Sequence, residues 1–138
     1  MNTQKILVAG LIGGIFSFLL GWLVFGILMK GMGPAGMACV HRPEGDFVYW
    51  AIILSNLLYG IFLSYIFVQW ASISTLQRGI VAGAIFGFFT CCTFDFGFYA
   101  MTTMYTIKDI LMDIVINTIF SGLIGGVIGW WLGRGAKS

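Results

Sequence analysis

Asp95 and Asp113 stand in otherwise apolar stretches, TCCTFDFGFYA at 90 to 100 and ILMDIVIN at 110 to 117. Two carboxylates held near each other in apolar surroundings can pass a proton, hold a cation or bind a polar ligand. They can also form an acid/base pair, or simply donate a hydrogen bond between helices when protonated. Asn56 and Asn117 are the nearest polar companions, and Thr90 and Thr93 could reach the same layer. Four residues, Asp95, Asp113, Asn56 and Asn117, are therefore the candidate ligand or ion site. Which chemistry applies depends on the elements that carry them.

Those elements are set by composition. Of 138 residues, 59% are hydrophobic and 9% charged, far from the quarter or so that is charged in soluble domains. The chain reads as an all-α integral membrane protein of one domain. Four apolar runs reach the length needed to cross a bilayer, about 20 residues: 6–29, 47–70, 79–101 and 110–132. Such continuous runs exclude the alternating strands of a membrane barrel, and short connections predict antiparallel neighbours in an up-down bundle. The first run is too long for a signal-peptide core and is expected to stay as a helix. Lys5, Arg78, Arg134 and Lys137 flank one side, against Lys30, Arg42 and Lys108 on the other. That small excess predicts a multi-pass cell-membrane protein with both termini in the cytoplasm.

The spacing then aims the side chains. Gly79, Gly83, Gly87, Cys91, Asp95 and Tyr99 recur at every fourth position in the third run. Asp109, Asp113, Asn117, Ser121, Gly125, Gly129 and Gly133 do so in the fourth. Residues four apart share a helical face. Each helix therefore has small residues toward the terminal side and polar ones toward the other. With a turn near Met104, Asp95 and Asp113 come level, as do Cys91 with Asn117, Gly87 with Ser121, and Gly83 with Gly125. Small-residue faces allow close backbone approach; Gly10, Gly13, Gly14, Ser17 and Gly21 offer others in the first helix, and Asn56, Gly60 and Ser64 in the second. A charged Asp at mid-membrane costs about 2.5–3.5 kcal/mol on insertion scales, so both aspartates should face the interior. At least one should hold a proton, or a cation should neutralise the pair. LVAGLIGG at 7 to 14 also resembles IVAGAIFG at 80 to 87, and Asn56-Gly60-Ser64 loosely echoes Asn117-Ser121-Gly125; a duplicated hairpin would give this pattern, and so would chance in apolar sequence of low complexity.

Other signals carry less. GMGPAG at 31 to 36 has the letters of a dinucleotide loop without the strand-to-helix setting it requires. Cys39, His41, Glu44 and Asp46 make one cluster where metal sites show paired groups, and read as a solvated loop. Cys91 and Cys92 read as small apolar residues. His41 is the single histidine, so no nucleophile and base pair is in view, and a non-enzyme without cofactor or metal is expected. A net charge of +2 without a basic cluster gives no reason to expect nucleic acid. Trp50, Trp70, Trp130 and Trp131 suit the membrane interfaces.

FSFLLGWLVFGILMKGM at 16 to 32, with GFF at 87 to 89 and FYAMTTMYTIKDILMDIVINTIFSGLIGGVIGWW at 98 to 131, resembles small bacterial membrane proteins grouped as domains of unknown function. The resemblance implies four helices, with a GW-containing first helix and a Gly-rich last one, and implies no activity. The first functional expectation is a non-enzymatic accessory or scaffold component. It would pack on itself, as an oligomer, or on a larger membrane protein through glycine faces. The alternative is a small proton- or cation-coupled transporter or channel built on Asp95 and Asp113.

Overall fold

The computed structural model describes residues 2–31, 33 and 39–135. Most of the GMGPAG stretch, Lys137 and the side chain of Glu44 lie outside the described residues. Four helices make up the fold: α1 (Thr3–Gly21), α2 (Tyr49–Gln69), α3 (Leu76–Met101) and α4 (Ile107–Gly135). A π-helical segment, Trp22–Leu28, continues α1, and a single 3-10 turn, Glu44–Asp46, precedes α2. The four spans have mean hydropathies of 2.3, 2.0, 1.6 and 1.9 and are long enough to cross a membrane. No strand occurs among the described residues. The protein is an all-α membrane protein with four helices in an antiparallel bundle. A Cβ on Gly135 would lie 3.5 Å from Lys5 Cε, so the two chain ends meet at one end of the bundle.

Helix ends are set by local hydrogen bonds, which moves several of them outward from the apolar runs. Thr75 Oγ1 accepts the N–H of Arg78 (3.3 Å), starting α3 at Leu76 and not at Gly79. Thr106 and Asp109 form a capping box: Thr106 N and Oγ1 donate to Asp109 Oδ2 at 2.8 and 2.7 Å, and Asp109 N donates back at 3.3 Å. Helix α4 thus begins at Ile107, where 110 was expected, and Asp109 is spent on the cap. After α2, Ser72 takes a left-handed φ of 48°. That turn brings the N–H of Ile73 back to Phe67 O at 3.0 Å and drives Ile73 into the core.

The core occupies the half of the bundle that holds the termini. Ala9, Leu63, Phe67, Ile73, Ile124, Ile128 and Leu132 form one buried cluster. Around it the helices touch backbone to backbone. A Cβ on Gly83 would stand 3.0 Å from Gly125 Cα, and one on Gly125 would stand 2.9 Å from Gly83 Cα. Gly87 meets Ser121 and Gly79 meets Gly129 in the same seam. The α1–α2 hairpin is built alike: a Cβ on Gly60 would lie 2.9 Å from Gly14 Cα, and one on Gly14 2.8 Å from Leu57 Cα.

The two hairpins pack through corresponding positions. A Cβ on Gly14 would approach Asn56 O to 3.0 Å, and one on Gly87 would approach Asn117 O to 3.1 Å. These positions correspond in the two resembling stretches of sequence. The hairpins join mainly through α1 and α4, where the Ile128 side chain lies over Gly13. Helices α2 and α3 do not pack along their length; they meet where Phe86 lies 5.6 Å from Phe62 and 6.4 Å from Tyr59, ring to ring.

A methyl group added within a seam must push two backbones apart, whereas Gly97 has nothing within 4 Å of its Cβ position. Gly125→Ala should therefore destabilise the protein by about 1–3 kcal/mol. Gly97→Ala should be neutral or stabilising by up to about 1 kcal/mol, from helix propensity alone. Unfolding in detergent micelles by graded addition of dodecyl sulfate checks both.

Candidate functional site

Moving along α3 and α4 away from the termini, glycine gives way to larger polar residues. The next face positions after Gly87 are Cys91 and Asp95, and those before Ser121 are Asn117 and Asp113. At this level a cleft of about 340 Å³ opens between the two hairpins. Asn56, Asp95, Asp113 and Asn117 all line it, so the four candidates read from the sequence come together.

All four helices contribute. From α1 comes Ser17, 2% exposed, whose Oγ donates to Asn56 Oδ1 at 2.6 Å. The amide of Asn56 donates in turn to Ile52 O at 2.8 Å. Helix α2 also gives Tyr59, whose hydroxyl donates to Ser121 Oγ on α4 at 2.9 Å and closes the floor. On α4, Asn117 Nδ2 donates to Asp113 O at 3.1 Å.

The carboxylates meet over a thiol. Cys91 Sγ donates to Asp95 Oδ2 at 3.0 Å and to Asp113 Oδ2 at 3.3 Å. One ligand atom from each of the three lies within 4.8 Å of the others. Among the described residues this is the one cluster with metal-ligand character. A soft sulfur beside two hard carboxylate oxygens is a mixed donor set that does not favour one metal strongly. The Cys39, His41 and Asp46 loop shows no such cluster among its described atoms; His41 instead lies 5.7 Å from the Phe47 ring, edge on.

A second cavity of about 160 Å³ lies nearer the end of the bundle opposite the termini, and Asp113 borders both. Its other walls include Phe25, Tyr105 and Asp109. Phe25 belongs to the π-helical segment, a local form that requires the N–H of Met29 to reach Val24 O (2.8 Å). Its ring stands 6.0 Å from Phe120, a residue of the larger cleft. Tyr105, in the α3–α4 connection, has its phenol pushed above the usual range by burial and then by the charges of Asp113, Asp95 and Asp109. Asp109 and Asp113 both stand at this mouth.

Three members of the site escaped the sequence reading. Cys91 reads as a small apolar residue, although its place in the Asp95 row was a usable signal. Tyr59 lies three positions from Asn56, which puts it on the same face. Ser17 is one more small residue in a glycine-rich face until its partner is known. Thr90 lines the cleft as expected, whereas Thr93 is exposed and donates to Phe89 O at 2.8 Å. Comparison with family models, curated proteins and solved structures finds no match to this chain.

The Ser17–Asn56 bond joins α1 to α2 inside an apolar bundle. Ser17→Ala should cost about 0.6–1.7 kcal/mol, the range for hydrogen bonds between membrane helices. The same dodecyl sulfate titration reads it, and no change in the midpoint would mean that Asn56 finds another partner.

Proposed function

We infer that the protein is a small proton- or cation-coupled transporter or channel, with Asp95 and Asp113 as the charge-carrying pair. The observation that carries this reading is the cleft itself. It is lined by both carboxylates and both asparagines, with no Lys, Arg or His among the described residues of its walls. Two half-buried carboxylates with oxygens within 4.8 Å of each other repel unless a proton or cation lies between them. Intramembrane acids that face a cavity are the usual marks of such pathways.

The accessory or scaffold reading relied on glycine faces left free for a partner. Gly10, Gly13, Gly14, Gly60, Gly79, Gly83, Gly87, Gly125 and Gly129 are all buried inside the chain. These faces already have partners, so self-association through them draws no support.

With the termini in the cytoplasm, as the flanking charges favour, the cleft lies in the outer half of the membrane. A cation then enters past Asp109 and Tyr105, reaches Asp113, and is shared with Asp95 and Cys91. Toward the cytoplasm the way is blocked by the Tyr59–Ser121 bond and the Gly87–Ser121 contact. Release on that side requires the two hairpins to rock against each other at the α1–α4 contact, the mode expected of paired repeats.

Flux in proteoliposomes tests this, with a pH dye for protons and radiotracers for sodium and potassium. Wild type should exceed protein-free vesicles for at least one of these ions. Asp95→Asn and Asp113→Asn, which keep shape and remove charge, should lower that flux at least tenfold, while Asp46→Asn in the loop should not. Wild-type flux equal to protein-free vesicles for all three ions would overturn the reading.

A further inference from the structure

The cleft is walled on three sides and open on the fourth. Helix α1 packs on α2, α4 packs on α3, and α1 packs on α4, while α2 and α3 part beyond the Phe62–Phe86 contact. Ser55 on α2 and Phe94 on α3 stand at the two edges of that gap. Both are exposed and both line the cleft. The outward faces beside them carry Ile52 and Leu58, three positions either side of Ser55, and Phe98, four positions after Phe94, all exposed apolar residues. A gap bordered by such faces within a membrane span opens to hydrocarbon.

We propose that the cleft binds an amphiphilic organic cation, its ammonium head between Asp95 and Asp113 and its apolar tail passing between α2 and α3 into the bilayer. This rests on the reading of the cleft as a cation site and names the class of cation. Charge selects a net cation. A zwitterionic phospholipid head would bring its phosphate beside the carboxylates, and among the described residues no basic side chain lines the cleft to pair with it. Size selects a molecule over a bare ion. A volume of about 340 Å³ falls in the range of organic-ligand pockets, and a single ion held by three atoms would leave most of it to water. The walls fit the same ligand, since Tyr59, Phe94 and Phe120 line the cleft and aromatic faces attract ammonium groups. The side opening accounts for the tail, which a small hydrophilic amine would not need.

The test uses the full chain in phosphatidylcholine nanodiscs and a decylamine carrying a diazirine midway along its chain. After photolysis, labelled peptides are located by mass spectrometry. Label should concentrate on residues bordering the gap, Ser55, Phe62 and Phe94. Asp95→Asn and Asp113→Asn should each lower it at least tenfold. Ser55→Phe, which narrows the gap at an exposed position and leaves the carboxylates intact, should do the same. Unlabelled decylammonium should compete at least tenfold better than propylammonium, and decanol should not compete. Label spread evenly over exposed apolar positions of α1, such as Leu19 and Ile27, would overturn the proposal. So would equal competition by propylammonium or by decanol. Loss of label in nanodiscs containing phosphatidylethanolamine would assign the head to a membrane lipid and overturn the free amphiphile. Ion flux that needs the aspartates, without this labelling, removes only the proposal; labelling without flux removes only the transport reading.

Discussion

Helices in a bilayer gain little from hiding apolar side chains, because lipid is as apolar as leucine. What remains is close contact between backbones, and in this protein glycine provides it in both hairpins. Gly83 against Gly125, and Gly60 against Gly14, bring main chains so close that a Cβ on any of Gly83, Gly125 or Gly60 would stand within 3.0 Å of the facing Cα. Dispersion contacts at that range are individually weak and add up over a long interface. The seams anchor one half of the bundle. Everything that distinguishes the other half follows from where they stop.

They stop at Gly87 and Ser121. Beyond that level the same helical faces carry Cys91, Asp95, Asn117 and Asp113, which meet through side chains where glycine met backbone. Side chains fill the space with a hydrogen-bonded set drawn from four helices, and a cleft is left between the hairpins. Rigidity and opening are thus neighbours along one pair of helices. A packed glycine floor under a polar cleft holds the carboxylates without burying them completely. The two hairpins join chiefly at α1 and α4, where the Ile128 side chain lies over Gly13.

Much of this was legible before the structure. The four-residue period in the third and fourth runs correctly paired Gly87 with Ser121 and Gly83 with Gly125, and brought the two aspartates to one layer. The helix ends were less legible, because hydropathy does not register caps. Thr75 and the Thr106–Asp109 box each add three residues to a helix start, and the box takes Asp109 out of the polar row. Cys91 was misjudged for a related reason. A thiol counts as apolar on average, and only the position of two carboxylates around it makes it a donor.

The sequence by itself determined that this chain forms four apolar helices, that two of them carry a small-to-polar gradient, and that their carboxylates face inward. Composition and period suffice for that, since burial of charge in lipid is costly wherever it occurs. Only the tertiary structure decided that the glycine faces are consumed within the chain. It alone showed that Ser17 and Tyr59 complete the site from the other hairpin, and that α2 and α3 part beside it. Those outcomes depend on which helix sits beside which. Residues distant in the chain set that order, and no local pattern records it.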